Sequence, residues 1–177
     1  KISPMELAEQ ASFIEINVLG NPIGKQDQYA AAYGGLNYFK FQTNGSVKIE
    51  HILPPNNSIN NLFDSLLLFW TGVQRKSEDV LKEQYKSIDE KREVLTNIKN
   101  LVKDCKNILL KSPLEIKTFG NLLNEGWQRK RTLASTISNS KIDQYYQIAI
   151  SNGAYGGKIA GAGGGGFLIL VCEPDNK

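Results

Sequence analysis

The chain has 177 residues, 41% of them hydrophobic and 22% charged, with a net charge of +3. That is enough apolar material for a sizeable core and fits one to one and a half domains of an ordinary globular protein. The small, dispersed charge argues against a nucleic-acid partner, and no stretch approaches the roughly eighteen apolar residues of a membrane span. No signal peptide is visible, so a cytoplasmic setting is expected.

The chain opens on a helix signal. Ser3 is the expected cap, with Pro4 and Glu6 inside the first turn, and the helix is predicted over residues 3–18, ending near Gly20. Glu15 falls near its end. The turn Gly20-Asn21-Pro22 follows, then Lys25 and Asp27, then a run of alanines closed by Gly34-Gly35. Alanine favours helix, so a short helix is predicted over 27–33 with Asp27 where the loop enters it. The unpaired N–H groups and the dipole of that helix favour a carboxylate there. Two readings stay open: Asp27 caps the helix, or it does chemistry.

Residues 36–41 and 46–53 read as strands joined by Thr43-Asn44-Gly45, a hairpin signal. Pro54-Pro55-Asn56-Asn57 is the expected domain boundary. Beyond it, the apolar run 66–70 suits a buried strand. A helical stretch is predicted over 77–111, with Leu95, Ile98, Leu101, Val102, Cys105, Ile108 and Leu109 at helical spacing. Further helices are predicted over 113–138 and 141–152, the last with Ile142, Tyr145, Tyr146 and Ala149 on one face. Arg129-Lys130-Arg131 reads as a solvated helix face in preference to a nucleic-acid contact.

Near the end all but Ala162 of residues 161–166 are glycine, directly before an apolar strand over 167–172. Glycine at this density costs conformational entropy unless the backbone needs positive φ or must come very close to something. A linker does not normally run straight into a buried strand, so a loop whose N–H groups approach a phosphate or substrate is the better reading. It is neither a Walker A loop nor a dinucleotide fingerprint. Cys105 and Cys172 form no metal spacing and are expected as free, buried thiols in a reducing compartment. His51, the one histidine, lies in a strand-like segment.

Taken together, GNPIGKQDQ and KIAGAGGGGF resemble two motifs of the GHMP family of small-molecule kinases. Closer matches in kind are the sugar 1-kinases of the heptose 7-phosphate kinase and fucokinase type, through GKQDQYAAAYGGLNYFKF and FWTGVQRKSEDVLKEQ. The resemblance covers residues 3–174. It implies an α+β fold in which residues 1–55 end the family's N-terminal domain and residues 56–177 form a ferredoxin-like C-terminal domain. It further implies an ATP-dependent transfer to the anomeric hydroxyl of a sugar or sugar phosphate, with D-glycero-D-manno-heptose 7-phosphate as the expected acceptor. A fucokinase or galactokinase-like enzyme and a non-catalytic sugar or ATP sensor are the alternatives.

Residue by residue, the resemblance makes Asp27 the catalytic base and Glu15 the ligand of Mg2+. Gly161, Gly163, Gly164 and Gly165 bind substrate. Phosphoryl transfer needs charge neutralisation at the phosphates and a group that takes the acceptor's proton, and two carboxylates separated by a turn suit those tasks. Lys25 is read as holding Asp27 ionised, or as a solvated loop lysine. Arg75 corresponds to an arginine of the sugar 1-kinases and suits a sugar phosphate, or is a surface arginine before a helix. The family's earlier phosphate-cradling loop is not matched in residues 1–60. The chain is therefore expected to be the C-terminal part of a longer kinase, inactive alone, with an apolar face inviting a homodimer or another partner.

Overall fold

The structure, a computed structural model, describes residues 1–55, 57–74 and 77–177. Arg75 lies outside the described residues. The architecture is α+β, in two compact units, Lys1–Leu53 and Pro54–Lys177.

In the first unit, helix α1 (Pro4–Phe13) starts on the expected capping box. The Glu6 N–H donates to Ser3 Oγ at 3.2 Å, and the Ser3 N–H donates to Glu6 Oε2 at 2.8 Å. The Ser3 N–H and hydroxyl, both donating to Glu6 Oε2, hold the Glu6 carboxyl below the usual carboxylate range. The helix continues as a π turn over Ile14–Val18 and stops at Gly20, whose φ is +68°. Helix α2 (Gln26–Tyr33) packs on α1 and is followed by the hairpin β1 (Asn37–Phe41) and β2 (Val47–His51), paired from Asn37↔His51 to Phe41↔Val47. Its turn is the predicted one: Asn44 Oδ1 accepts from the Ser46 N–H at 3.1 Å. Tyr29 is buried at the centre, its ring edge-on to Phe41 at 5.8 Å and to Phe39 at 6.1 Å. Such ring pairs contribute about 0.5–1.5 kcal/mol each beyond simple burial.

The second unit runs α3 (Ser58–Asp64), β3 (Leu66–Trp70), α4 (Ser77–Lys86), α5 (Arg92–Leu109), α6 (Ile116–Arg131), a 3-10 turn at Ser135–Ile137, α7 (Ser140–Ser151), β4 (Gly156–Ile159) and β5 (Phe167–Val171). The sheet is antiparallel in the order β3-β5-β4, with Leu66↔Val171 and Gly156↔Val171 in register. Its main core gathers Val80, Trp127, Ile137, Ile142, Tyr146, Ile159 and Leu168. The predicted face of α7 is the one that packs, with Ile142 and Tyr146 buried.

Helix α6 lies unusually close on β4. A Cβ at Gly156 would stand 2.0 Å from the Gly120 carbonyl oxygen, and one at Gly120 would stand 2.5 Å from Tyr155 Cβ. Only glycine fits on either side of that crossing.

Four expectations are corrected. Residues 66–70 do form a strand, but it is an edge strand paired by β5 on one side only, and Leu67, Leu68, Phe69 and Trp70 are exposed because among the described residues no element fully covers their side chains. The helix expected over 77–111 breaks into α4 and α5 at residues 87–91, where Ser87 Oγ donates to the Gln84 and Leu133 carbonyls. A hydroxyl bonded to backbone competes with helix continuation. The helix expected over 113–138 is Ile116–Arg131. Beyond it Ala134 is extended, and Glu83 takes bonds from the Ser135 N–H and hydroxyl and the Thr136 hydroxyl, at 2.6–2.9 Å. Finally, α3 and β4 were not expected from the pattern. Cys105 and Cys172 are both free, Cys172 buried and Cys105 half-buried. Among the described residues no helix is long and apolar enough to cross a membrane.

Candidate functional site

Glu15 lies in the π turn, where the extra residue per turn shows in the bond from the Leu19 N–H to Ile14 O, 2.9 Å; the Asn21 N–H then closes the helix end on Glu15 O at 3.0 Å. Single π turns inside helices recur at functional sites because they re-aim side chains. The Glu15 carboxylate is half-buried, and its Oε1 accepts from Gln28 Nε2 at 2.7 Å. Gln28 is itself buried, and its Oε1 has no hydrogen-bond partner among the described residues. This amide ties the helix bearing Glu15 to the helix bearing Asp27, its sequence neighbour. The sequence contained the Asp27-Gln28 pair, but not the fact that Gln28 turns inward to the other carboxylate.

Asp27 is exposed, one residue inside α2. Residue Lys25 occupies the N-cap position, and no side chain caps the helix. The capping reading of Asp27 therefore falls, although its place in the first turn still lets the helix dipole favour the charge. Lys25 is half-buried, and no ion pair among the described residues joins it to Asp27.

In the second unit the glycine loop joins β4 to β5 and is braced from several sides. The Gly164 N–H donates to Ile137 O at 2.7 Å and the Gly166 N–H to Val73 O at 2.9 Å, while Thr71 donates from N–H and hydroxyl to Gly166 O at 3.1 and 2.8 Å. Gly161, Gly163 and Gly164 have φ of +77°, +113° and +78°. Gly163 and Gly165 are also places of close approach, where a Cβ would come within 2.8 Å of Ile137 O and 2.5 Å of Val73 O. The N–H groups of Gly161, Gly163 and Gly165 have no partner among the described residues. A loop so held can offer backbone donors to an anion without reorganising.

A further brace was not expected. Lys130 Nζ donates to Gly161 O at 2.5 Å. Burial, and then the neighbouring Lys158 ammonium, push Lys130 down to about 8. Its flanking residues are paired outward, Arg129 with Glu125 at 2.7 Å and Arg131 with Asp143 at 2.8 Å. The basic run is thus not a uniformly solvated face. The available signal was that Lys130 lies one helical turn from the buried Trp127.

Residues 106–177 match the family described as GHMP kinases C terminal. The chain is 33% identical over 174 residues to the D-glycero-alpha-D-manno-heptose 7-phosphate kinase of Campylobacter jejuni, covering 97% of this chain and 51% of that protein. It is 33% identical over 98 residues to a galactokinase of Candida parapsilosis, covering 55% of this chain and 19% of that one. Among solved structures, a D-glycero-D-manno-heptose 1-phosphate kinase from Bacteroides thetaiotaomicron superposes with a TM-score of 0.66 at 28% identity, over 98% of this chain and 46% of that one. The chain therefore spans about half the length of the heptose kinases it matches. Motif, fold and relatives agree: over residues 106–177 the chain carries the C-terminal domain of the GHMP kinases.

Proposed function

We propose that the protein is a sugar kinase that transfers the γ-phosphate of ATP to the anomeric hydroxyl of D-glycero-D-manno-heptose 7-phosphate, and that this chain is its C-terminal half. The observation that carries the reading is the half-buried Glu15 carboxylate held by the buried amide of Gln28, whose sequence neighbour Asp27 presents an exposed carboxylate on the same helix. Asp27, exposed on the first turn of α2, is the base that takes the acceptor hydroxyl's proton. Glu15 is the Mg2+ ligand. Its carboxylate fits the ion's preference for hard oxygen donors, and Mg2+ commonly takes only one or two protein carboxylates beside phosphate oxygens. When bound, the ion neutralises charge on the phosphates. Gly161, Gly163, Gly164 and Gly165 shape the substrate-binding loop, and Arg75 is assigned to the sugar's phosphate.

The match to the heptose 7-phosphate kinase along nearly the whole chain supports the heptose acceptor, and the shorter galactokinase match supports a galactose-type acceptor as the second reading. Asp27→Asn in the full-length protein tests the role of the base. Turnover should fall roughly 10²–10⁴-fold with the fold intact. Turnover within a few-fold of the parent would remove Asp27 from the chemistry. A panel of heptose 7-phosphate, fucose and galactose in the same assay decides the acceptor.

A further inference from the structure

Between α5 and α6, with β4 at its end, lies a cavity of about 170 Å³. Leu101, Val102 and Cys105 form one wall and Trp127 another, and Lys130 and Lys158 supply the only charge on the lining. These two ammoniums face apolar surroundings without a carboxylate. Lys130 spends one of its three donors on Gly161 O, and Lys158 makes no hydrogen bond or ion pair among the described residues. The thiol of Cys105 on the same lining is pushed up to about 11 by burial, and then by the Asp104 carboxylate. Arg129 and Arg131, beside Lys130 on α6, are engaged with Glu125 and Asp143.

Two like charges held together against apolar walls are unfavourable unless an opposite charge joins them. Burial lowers both Lys130 and Lys158 below the ordinary lysine range, and for Lys130 the neighbouring Lys158 ammonium adds to it. The volume sets the size of the missing partner, since a cavity of about 150 Å³ accommodates benzene. We propose that this cavity binds a small amphipathic acid, its carboxylate between Lys130 and Lys158 and an apolar body of roughly six carbons between α5 and α6. The lining belongs wholly to the second unit and includes neither Glu15 nor Asp27. The site's existence does not depend on the kinase reading.

Titration calorimetry with hexanoate at pH 7 tests the proposal, with acetate (charge without body) and hexanamide (body without charge) as comparisons. Hexanoate should bind saturably at one site, about tenfold or more tighter than either. Raising the pH to 9.5 should weaken hexanoate and leave hexanamide unchanged, because Lys130, at about 8, loses its proton across that range while Cys105, at about 11, keeps its own. At pH 8 binding should take up protons, read as a dependence of the heat on the buffer's ionisation enthalpy. Lys158→Gln should remove most of the advantage over hexanamide, and Leu101→Trp, which fills the cavity, should abolish binding of both. Equal affinity for hexanoate and hexanamide in the parent protein overturns the proposal without recourse to any variant. So does unchanged hexanoate affinity in a Lys158→Gln protein with the parent's circular dichroism.

Discussion

Replacing Gly163 with alanine separates two causes of stability in the glycine loop. At φ +113° an L side chain is strained, and the new Cβ would stand 2.8 Å from Ile137 O and 3.0 Å from Ile137 Cγ2. Strain of this kind costs about 1–3 kcal/mol. The clash also pushes the loop off Ile137 O, the acceptor of the Gly164 N–H at 2.7 Å, and losing that bond adds about 1 kcal/mol. The expected total is about 2–4 kcal/mol, a large part of the about 5–15 kcal/mol that holds a domain together. Gly161→Ala is the control. Its φ is +77°, but no atom lies within 4 Å of the added Cβ, so only the left-handed cost of about 1–2 kcal/mol applies. Both tryptophans, Trp70 and Trp127, lie in the second unit, so urea unfolding followed by tryptophan fluorescence reads that unit alone. Equal m-values with a midpoint lower for Gly163→Ala than for Gly161→Ala are expected. A difference below about 0.5 kcal/mol between the two would refute the close approach to Ile137 as a source of stability.

Stability of the second unit should rise between pH 8 and pH 9. Lys130, at about 8 in the fold, gives up its proton there while the unfolded chain keeps it to 10.5, so the unfolded state binds more protons. Lys158 acts in the same direction, and Cys105 opposes the trend above pH 9, flattening it, because its thiol stays protonated to about 11 in the fold. The rise should be smaller in Lys130→Met, as measured by urea midpoints. The 177-residue chain alone should bind ATP·Mg2+ weakly and show no turnover with heptose 7-phosphate, because phosphate positioning supplies most of phosphoryl-transfer catalysis. Tight binding with turnover in a coupled assay would show that the remaining half is dispensable. Ser3→Ala should destabilise the first unit by about 0.5–2 kcal/mol, read by hydrogen exchange in α1, and full protection there would show the capping box to be idle.

What the sequence made legible was local. Ser3 and Glu6 announce α1, Asn44-Gly45 announces the hairpin, and the spacing from Ile142 to Ala149 places the inner face of α7. What escaped depends on contacts far apart in the chain. The break after α4 is held by Ser87 against Leu133, and the early end of α6 is fixed by Glu83 reaching Ser135 and Thr136. The strand β4 has two glycines in four residues, a poor strand by propensity, because α6 leaves no space for a side chain at Gly156 and β5 leaves none at Gly157. The apolar run 66–70 announced a strand but not which face would be covered. Glu15, Asp27 and the glycine loop were readable as chemistry from their residue types. The buried link through Gln28 and the inward turn of Lys130 were not, since each depends on a partner from another element.

The contact between Gly120 and Gly156 also bears on motion. Backbones that meet without intervening side chains have no rotamers to exchange and no gap to slide through, so α6 and β4 are expected to move as one piece. Lys130, near the end of α6, moves with them. Fluctuations of residues 160–166 are then confined to the loop itself, between two strands that do not hinge. In hydrogen exchange the amides of β4 and β5 should open only with the whole unit, while those of Gly161 and Gly163 open locally and far sooner.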